Sequence, residues 1–315
     1  MPRGARFRRN RALAAVAVSI LLWGCASAPA PLRSALPAGL PSQAEIAPVP
    51  FFAQKAYQCG PAAMAMVLAW SGMQVTPDDL VPVVYTPDRK GSLQSDLIGA
   101  ARRSGRLAYP IAGVDCLLSE IAAGHPVIVL QNLGLRGLPR WHYAVAIGYD
   151  LAAEQIILHT GAAERRRVAF TTFQHTWRRA DQWALAVLPP QEMPACAEEQ
   201  SYLEAVLALQ PFGAEAAVAA FETAARRWPR SFAVHMALGN AHYRRGDSNA
   251  AALAFRQATR LNPTDGAAYN NLAHVLAELG RWEEAEQAAL RAIELGGRHS
   301  ELFRRTLQEI RQGRQ

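Results

Sequence analysis

The pattern of apolar and polar residues divides the chain into regions of different character. A short apolar run at 12–23 follows an arginine-rich start. Residues 48–190 mix short apolar segments typical of strands with amphipathic segments typical of helices, which indicates an α+β domain. Residues 201–315 show helical periodicity alone. The intervening stretches, 25–47 and 191–200, are rich in proline and small or charged residues and predict a tether and a linker.

Within the first folded region, runs bounded by turn residues predict the strands and helices of a compact domain. We expect the helix that begins at Cys59 to pack on an antiparallel sheet. The predicted strands are 107–112, 125–132, 141–149, 154–159, 166–171 and 183–188, and the predicted helices are 59–72, 94–104 and 115–123.

The helical region repeats itself with a period of 34 residues, and residues 232–265 align with 266–299. The matching pairs are Leu238 with Leu272, Gly246 with Gly280, Ala251 with Ala285, and Ala258 with Ala292. This alternation of small and large residues resembles tetratricopeptide repeats, which stack helix pairs and bind protein partners. About three repeats are expected, the first with a poor front helix because Glu204 stands where leucine is typical, and a capping helix at 301–312 follows.

Charge changes the interpretation of the N-terminus more than that of the folded regions. The net charge is +7, but five arginines lie in the first eleven residues, and the chain after residue 24 holds 28 basic and 26 acidic side chains. A chain this close to neutral lacks the broad basic surface of a nucleic-acid-binding protein. The arginines and the apolar run instead predict a signal peptide at 1–24, too short to span a membrane.

The residues after the apolar run indicate how the exported chain is anchored. Leu22, Trp23, Gly24 and Cys25 resemble the lipobox of bacterial lipoproteins, in which the cysteine carries the lipid. This resemblance implies lipidation of Cys25 and anchoring to the cell envelope, with the outer membrane facing the periplasm as the expected site. An ordinary cleaved signal, cut near residues 26–28, is the alternative.

Cys59 is the leading candidate for a nucleophile. It opens a predicted helix, with Pro61 in the first turn, and a helix N-terminus favours the thiolate and lowers the thiol pKa. A lone cysteine is otherwise often a buried structural residue.

The segment from Gln54 through Cys59 to Ala62 resembles the start of the double-glycine leader peptidases that process bacteriocins, which are papain-like cysteine peptidases. The resemblance implies that Cys59 is the nucleophile and that Gln54 donates a hydrogen bond to the oxyanion, with Gln58 as an alternative donor. It implies His142, at the start of the predicted strand 141–149, as the general base.

The family places an aspartate at the end of the following strand, where this chain has no carboxylate. His159 occupies that place and is expected to orient His142; a Cys59–His142 dyad, or Asp150 or Asp181 reaching in, are the alternatives. Peptide hydrolysis through a thioester on Cys59 is the activity that the resemblance implies.

Two other functional classes remain open at this point. A Cys-His-His set also occurs in peptidoglycan endopeptidases, and the absent aspartate is compatible with an idle domain in a scaffold whose function lies in the repeats. Cys116 and Cys196 have no partners at metal-ligand spacing and are either free or paired as a disulfide. We expect no cofactor and no metal.

Overall fold

The computed structural model describes residues 39–135 and 137–314. The predicted signal peptide and the lipidation of Cys25 therefore fall outside the described residues. Among the residues described, no helix is both long and apolar enough to cross a membrane.

The first domain is built on a seven-stranded antiparallel sheet. Its strands are β1 (Gln43–Glu45), β2 (Leu107–Ile111), β3 (Val127–Asn132), β4 (Trp141–Asp150), β5 (Gln155–Thr160), β6 (Ala163–Ala169) and β7 (Ala184–Leu188). The main order is β2-β7-β3-β4-β5-β6, and β1 pairs with the C-terminal end of β4. The long strand β4 thus lies near the centre, where it pairs with β1, β3 and β5. Strand β3 and the strand beyond it, β7, are fully buried because both faces of the sheet are covered there.

Five helices accompany this sheet: α1 (Cys59–Trp70), α2 (Pro77–Val84), α3 (Gln94–Arg103), α4 (Val114–Ala122) and α5 (Phe170–Arg178). Helix α1 is the core element, since every residue from Gly60 to Leu68 is buried. A helix that is apolar on all sides is typical of the centre of a domain. It packs on β4 and β3 and against α2, which brings its N-terminus beside the start of β4.

The predicted α+β class is confirmed, with three local differences. Residues 43–45 of the predicted tether form β1, where Glu45 lies 2.6 Å from Arg165, so the folded domain begins before residue 48. The predicted strand 166–171 is instead β6 followed by α5, because Phe170 turns into the core as the first residue of an amphipathic helix. Helix α2, whose first turn is capped by Thr76 and Asp79, was not predicted.

The second domain consists of paired helices followed by a cap. The helices are α6 (Glu199–Leu209), α7 (Ala214–Arg227), α8 (Phe232–Arg245), α9 (Ser248–Leu261), α10 (Gly266–Glu278), α11 (Trp282–Leu295) and α12 (Ser300–Gly313). The small-against-large pattern has a direct cause, because a Cβ at Gly239 would lie 2.5 Å from the ring of Phe255. Glu204 is exposed, yet α6 forms, since Tyr202, Ala205 and Leu209 supply its buried face.

The junction between the domains is held by hydrogen bonds and by a disulfide. Cys116 of α4 and Cys196 form a disulfide, which settles the alternative that the sequence left open. The backbone N–H of Cys196 donates to the buried Glu120, and Thr223 of α7 donates to the carbonyl of Pro190. The predicted linker at 191–200 is therefore tied to both domains, and α6 begins inside it.

Candidate active site

Cys59 occupies the first position of α1, where the local sequence leaves backbone donors free. Gln58 precedes the helix and makes no side-chain cap, and Pro61 has no N–H to donate. The N–H groups of Cys59 and Gly60 face the thiol sulfur instead of a capping side chain. Gly60 is required here by space, because a Cβ at this position would lie 2.2 Å from the Ser92 hydroxyl oxygen.

The backbone of Tyr143 is the point at which the thiol and Gln54 meet. The N–H of Tyr143 is a third donor directed at the Cys59 sulfur. The carbonyl of Tyr143 accepts a hydrogen bond of 3.0 Å from Gln54 Nε2, and Gln54 Oε1 accepts one of 3.1 Å from the N–H of Gly161. An amide nitrogen carries two hydrogens, so the held Gln54 side chain keeps one donor for another group.

His142 is the residue before Tyr143 on β4, and its contact partner differs from the one predicted. His142 Nε2 lies 2.7 Å from the hydroxyl oxygen of Thr160, the last residue of β5. No acidic side chain contacts His142 within residues 39–135 and 137–314. The threonine hydroxyl therefore takes the place that the family gives to an aspartate, and Nδ1 is the ring nitrogen left for another partner.

The prediction that His159 orients His142 is wrong in this geometry. Successive residues of a strand point to opposite faces, so His159 and Thr160 diverge. His159 is fully buried, its Nε2 lies 3.1 Å from the carbonyl oxygen of Val49, and its Nδ1 accepts from the N–H of Arg165. Both ring nitrogens are engaged, which makes His159 a structural link between β5, β6 and the segment before α1.

The two carboxylates that the sequence offered as alternatives also lie apart from His142. Asp150 stands at the far end of β4 and accepts hydrogen bonds from the N–H groups of Ala152 and Ala153. Asp181 lies in an exposed turn after α5 with a positive φ of 53°. Neither carboxylate is hydrogen-bonded to His142.

Burial dominates the electrostatics of the pair. Desolvation raises the pKa of the Cys59 thiol above its usual value of 9.0, and the N–H groups of Tyr143, Gly60 and Cys59 offset only part of that effect. Desolvation, followed by the positive charges of Arg140 and Arg166, lowers the pKa of His142 to about 4. The expectation of a lowered thiol pKa at the helix N-terminus is therefore wrong for this resting state, in which thiol and imidazole are both neutral.

A neutral pair of this kind suits general-base chemistry. A neutral imidazole accepts the thiol proton as the sulfur attacks, and the N–H groups at the start of α1 stabilise the negative charge that develops. No group of three or more His, Cys, Asp or Glu side chains that could hold a metal ion occurs in the part of the chain that the structure describes.

A cavity of about 270 Å³ lies near the N-terminus of α1, and its lining includes neither Cys59 nor His142. Phe51 and Phe52 form its apolar wall, and Gln58 and Ala62 of the Cys59 segment line it. A larger cavity of about 690 Å³ lies at the junction with α7, lined by Arg106 and Arg245 among others, and contains none of the site residues.

The comparisons with known proteins agree with this arrangement. Residues 46–185 match the Peptidase_C39 like family, and residues 202–254 and 236–299 match the tetratricopeptide repeat. None of the curated proteins compared with this chain matches it.

Similar solved structures exist for each domain. A putative C39-like peptidase from Bacillus anthracis has a TM-score of 0.40 and 18% identity, with coverage of 46% of this chain and 97% of that one. The first tetratricopeptide domain of Spaghetti (RPAP3), bound to an HSP90 peptide, has a TM-score of 0.34 and 20% identity over 36% of this chain and 90% of that one. The Yersinia enterocolitica type III secretion chaperone SycD, in complex with a YopD peptide, has a TM-score of 0.34 and 17% identity over 37% and 94%.

The matched ranges coincide with the two folded units. Residues 46–185 enclose the whole Cys59 site, and the repeat matches begin inside α6 and end just before α12. The chain joins a Peptidase_C39-like domain at residues 46–185 to tetratricopeptide repeats.

Proposed function

We propose that this chain is a cysteine peptidase of the cell envelope, with Cys59 as nucleophile and His142 as general base. One observation carries the proposal. Tyr143, the residue after His142, donates its N–H to the Cys59 sulfur and accepts a hydrogen bond from Gln54 at its carbonyl. A structural cysteine needs no such neighbours, whereas a nucleophile needs a base, oxyanion donors and an accessible sulfur. The half-buried Cys59 is the free cysteine among the described residues.

We propose the proton transfers from the contact between His142 and Thr160. In the proposed tautomer, Nε2–H of His142 donates to the Thr160 oxygen, and Nδ1 accepts the proton of the Cys59 thiol as the sulfur attacks the peptide carbonyl. The N–H of Cys59 and the second hydrogen of Gln54 Nε2 stabilise the oxyanion. His142 then protonates the leaving amine, and water hydrolyses the thioester.

Two alternatives from the sequence receive less support. A peptidoglycan endopeptidase with a Cys-His-His set would need His159 at His142, and His159 bonds Val49 and Arg165 instead. An idle domain in a scaffold is favoured by one observation, which is that no carboxylate of the described residues contacts His142. The Thr160 hydroxyl supports His142 less strongly than a carboxylate would, but His142 can still accept a proton. We therefore favour an active peptidase.

The test is cleavage of a mixed peptide library by the full-length protein, followed by mass spectrometry. The wild-type chain is expected to generate new termini that the Cys59→Ala chain does not. Equal products from both chains would refute the assignment of Cys59. Release of fragments from purified peptidoglycan, with no cleavage of library peptides, would favour the endopeptidase, and no cleavage of either material would favour the scaffold.

We also propose that the chain is exported and lipid-anchored at Cys25, with repeats that recruit a protein partner or substrate. The Cys116–Cys196 disulfide supports export, because such bonds persist in oxidising compartments. A Cys25→Ser chain is expected to move from the membrane fraction to the soluble fraction, and retention in the membrane would contradict the anchor.

A further inference from the structure

Two arginines on the His142 side of the site have no acidic partner in the part of the chain that the structure describes. Arg140 precedes β4 and Arg166 lies on β6, both are exposed, and neither guanidinium forms an ion pair with any described residue. The neighbouring Arg165 and Arg167 differ, because both approach Glu45.

Strand register places Arg166 on the same face of the sheet as His142. Arg166 is paired with Leu158, and Leu158 is paired with Ala146, so these three side chains share one face. His142 lies four residues before Ala146 on the same strand, and its hydrogen bond to Thr160 agrees with this placement. The positive charges of Arg140 and Arg166 both lower the pKa of His142, in agreement with this placement.

Two acidic groups near the site are already committed, whereas Glu164, two residues before Arg166 on β6, forms no ion pair with any described residue. Asp78 forms a hydrogen-bonded ion pair of 2.7 Å with Lys55 beside the cavity, so that side is neutral. Asp96 accepts hydrogen bonds from Thr86 and from the N–H of Leu93 at the start of α3. Among the described residues, Arg140 and Arg166 are therefore the unpaired cations whose charges act on His142.

The charges of Arg140 and Arg166 make His142 a weaker base unless an anion neutralises them. Positive charge beside an imidazole disfavours the imidazolium that forms as the thiol proton is accepted. A bound anion would remove this penalty at the moment when substrate is present. The base also hands its proton to the leaving amine, so the segment after the scissile bond is the part of a substrate that lies on the His142 side.

We propose that Arg140 and Arg166 bind a carboxylate of the substrate, in the segment that follows the scissile bond. This inference rests on the proposed peptidase function and narrows its substrates to peptides that are acidic on the leaving side. The hairpin that carries Arg140 also exposes Leu135 and Leu138, 69% and 76% accessible, along which the rest of such a segment would run.

A charge-matched pair of alkylating reagents tests the proposal on the full-length protein without a known substrate. Iodoacetate carries a carboxylate and iodoacetamide does not, and mass spectrometry of the peptide that contains Cys59 gives both rates. The rate ratio of iodoacetate to iodoacetamide is expected to fall about two- to fivefold in Arg140→Gln and in Arg166→Gln. Arg167→Gln, one residue away and held by Glu45, is the control and is expected to leave the ratio unchanged.

The outcomes separate this inference from the proposed function. A ratio that is the same in the wild type and in both variants, with Cys59 readily modified, overturns the carboxylate site and leaves the peptidase proposal standing. A Cys59 that resists both reagents overturns both. High salt is expected to reduce the wild-type ratio, because it screens exposed charges.

The source of the carboxylate is distinguished with the best-cleaved library peptide. One version carries glutamate after the scissile bond and an amidated C-terminus, and the other carries glutamine there and a free terminal carboxylate. Loss of kcat/KM in Arg166→Gln for the first version alone assigns the site to an acidic side chain, and loss for the second alone assigns it to a chain terminus. No loss for either version refutes the proposal.

Discussion

The contact between His142 and Thr160 offers the most informative perturbation of this site. Thr160→Asp places a carboxylate where the hydroxyl oxygen now lies 2.7 Å from His142 Nε2. Thr160 is half-buried at the end of β5, so water reaches the new charge and the cost of introducing it is small. The substitution restores the residue type that the family places at this strand end.

The size of the effect follows from the charges involved. A carboxylate in contact with an imidazole raises its pKa by about 1 to 3 units, which is equivalent to about 1.4 to 4 kcal/mol. The pKa of His142 is about 4 in the wild type, because of burial and then of Arg140 and Arg166, and is expected to rise towards the ordinary histidine range. The population of the thiolate–imidazolium pair then rises by about tenfold or more, since it follows the imidazole pKa directly.

Iodoacetamide modification of Cys59, followed from pH 5 to pH 8, is the assay. Thr160→Asp is expected to speed the reaction about tenfold or more at the acidic end, where free thiolate is scarce. Thr160→Asn, which has the same shape without the charge, is the matched control and is expected to stay within about threefold of the wild type. Equal rates in the Asp and Asn variants would refute the placement of Thr160 as the partner of His142.

Three further predictions concern the same domain. The acid limb of kcat/KM in the wild type is expected near pH 4, where His142 becomes protonated. In Arg166→Gln the limb is expected to move to higher pH, because a positive neighbour that lowers the pKa of His142 is lost. A wild-type limb near pH 6.5 would contradict this prediction. Cys196→Ser is expected to lower the free energy of unfolding in urea by about 4 kcal/mol, since the disulfide closes a loop with a sequence separation of 80, and no change would show that the bond does not form. His159→Gln is expected to lower the free energy of unfolding by about 2 kcal/mol through its two buried hydrogen bonds, and a neutral result would contradict the structural role.

Much of the fold was predictable because the signals are local. The apolar run after Pro61, the alternation at Trp141–Asp150 and the period of 34 residues each reflect the burial of one segment, and all three elements are present. Strand β1 was missed because three residues among prolines carry no periodicity of their own. Its place depends on pairing with β4, which is a long-range contact that local pattern cannot show.

The third member of the site was mispredicted for a similar reason. The alternation in β5 shows that His159 and Thr160 face opposite ways, but it does not show which one faces His142. The pairing of Val145 with His159 decides this, since it brings Thr160 diagonally towards His142. The directions of the pKa shifts could not be predicted from the sequence either. The residue pattern indicates where the helix begins, but it does not indicate how deeply the thiol is buried.

The central claim is that His142 acts as the base of Cys59, and the rate of Cys59 alkylation at neutral pH tests it most directly. The full-length wild type, His142→Gln and His159→Gln would be treated with iodoacetamide, and the peptide that contains Cys59 quantified by mass spectrometry. We expect His142→Gln to slow the reaction about tenfold or more and His159→Gln to leave it unchanged. Equal rates in all three chains would contradict the account and make Cys59 an ordinary buried thiol.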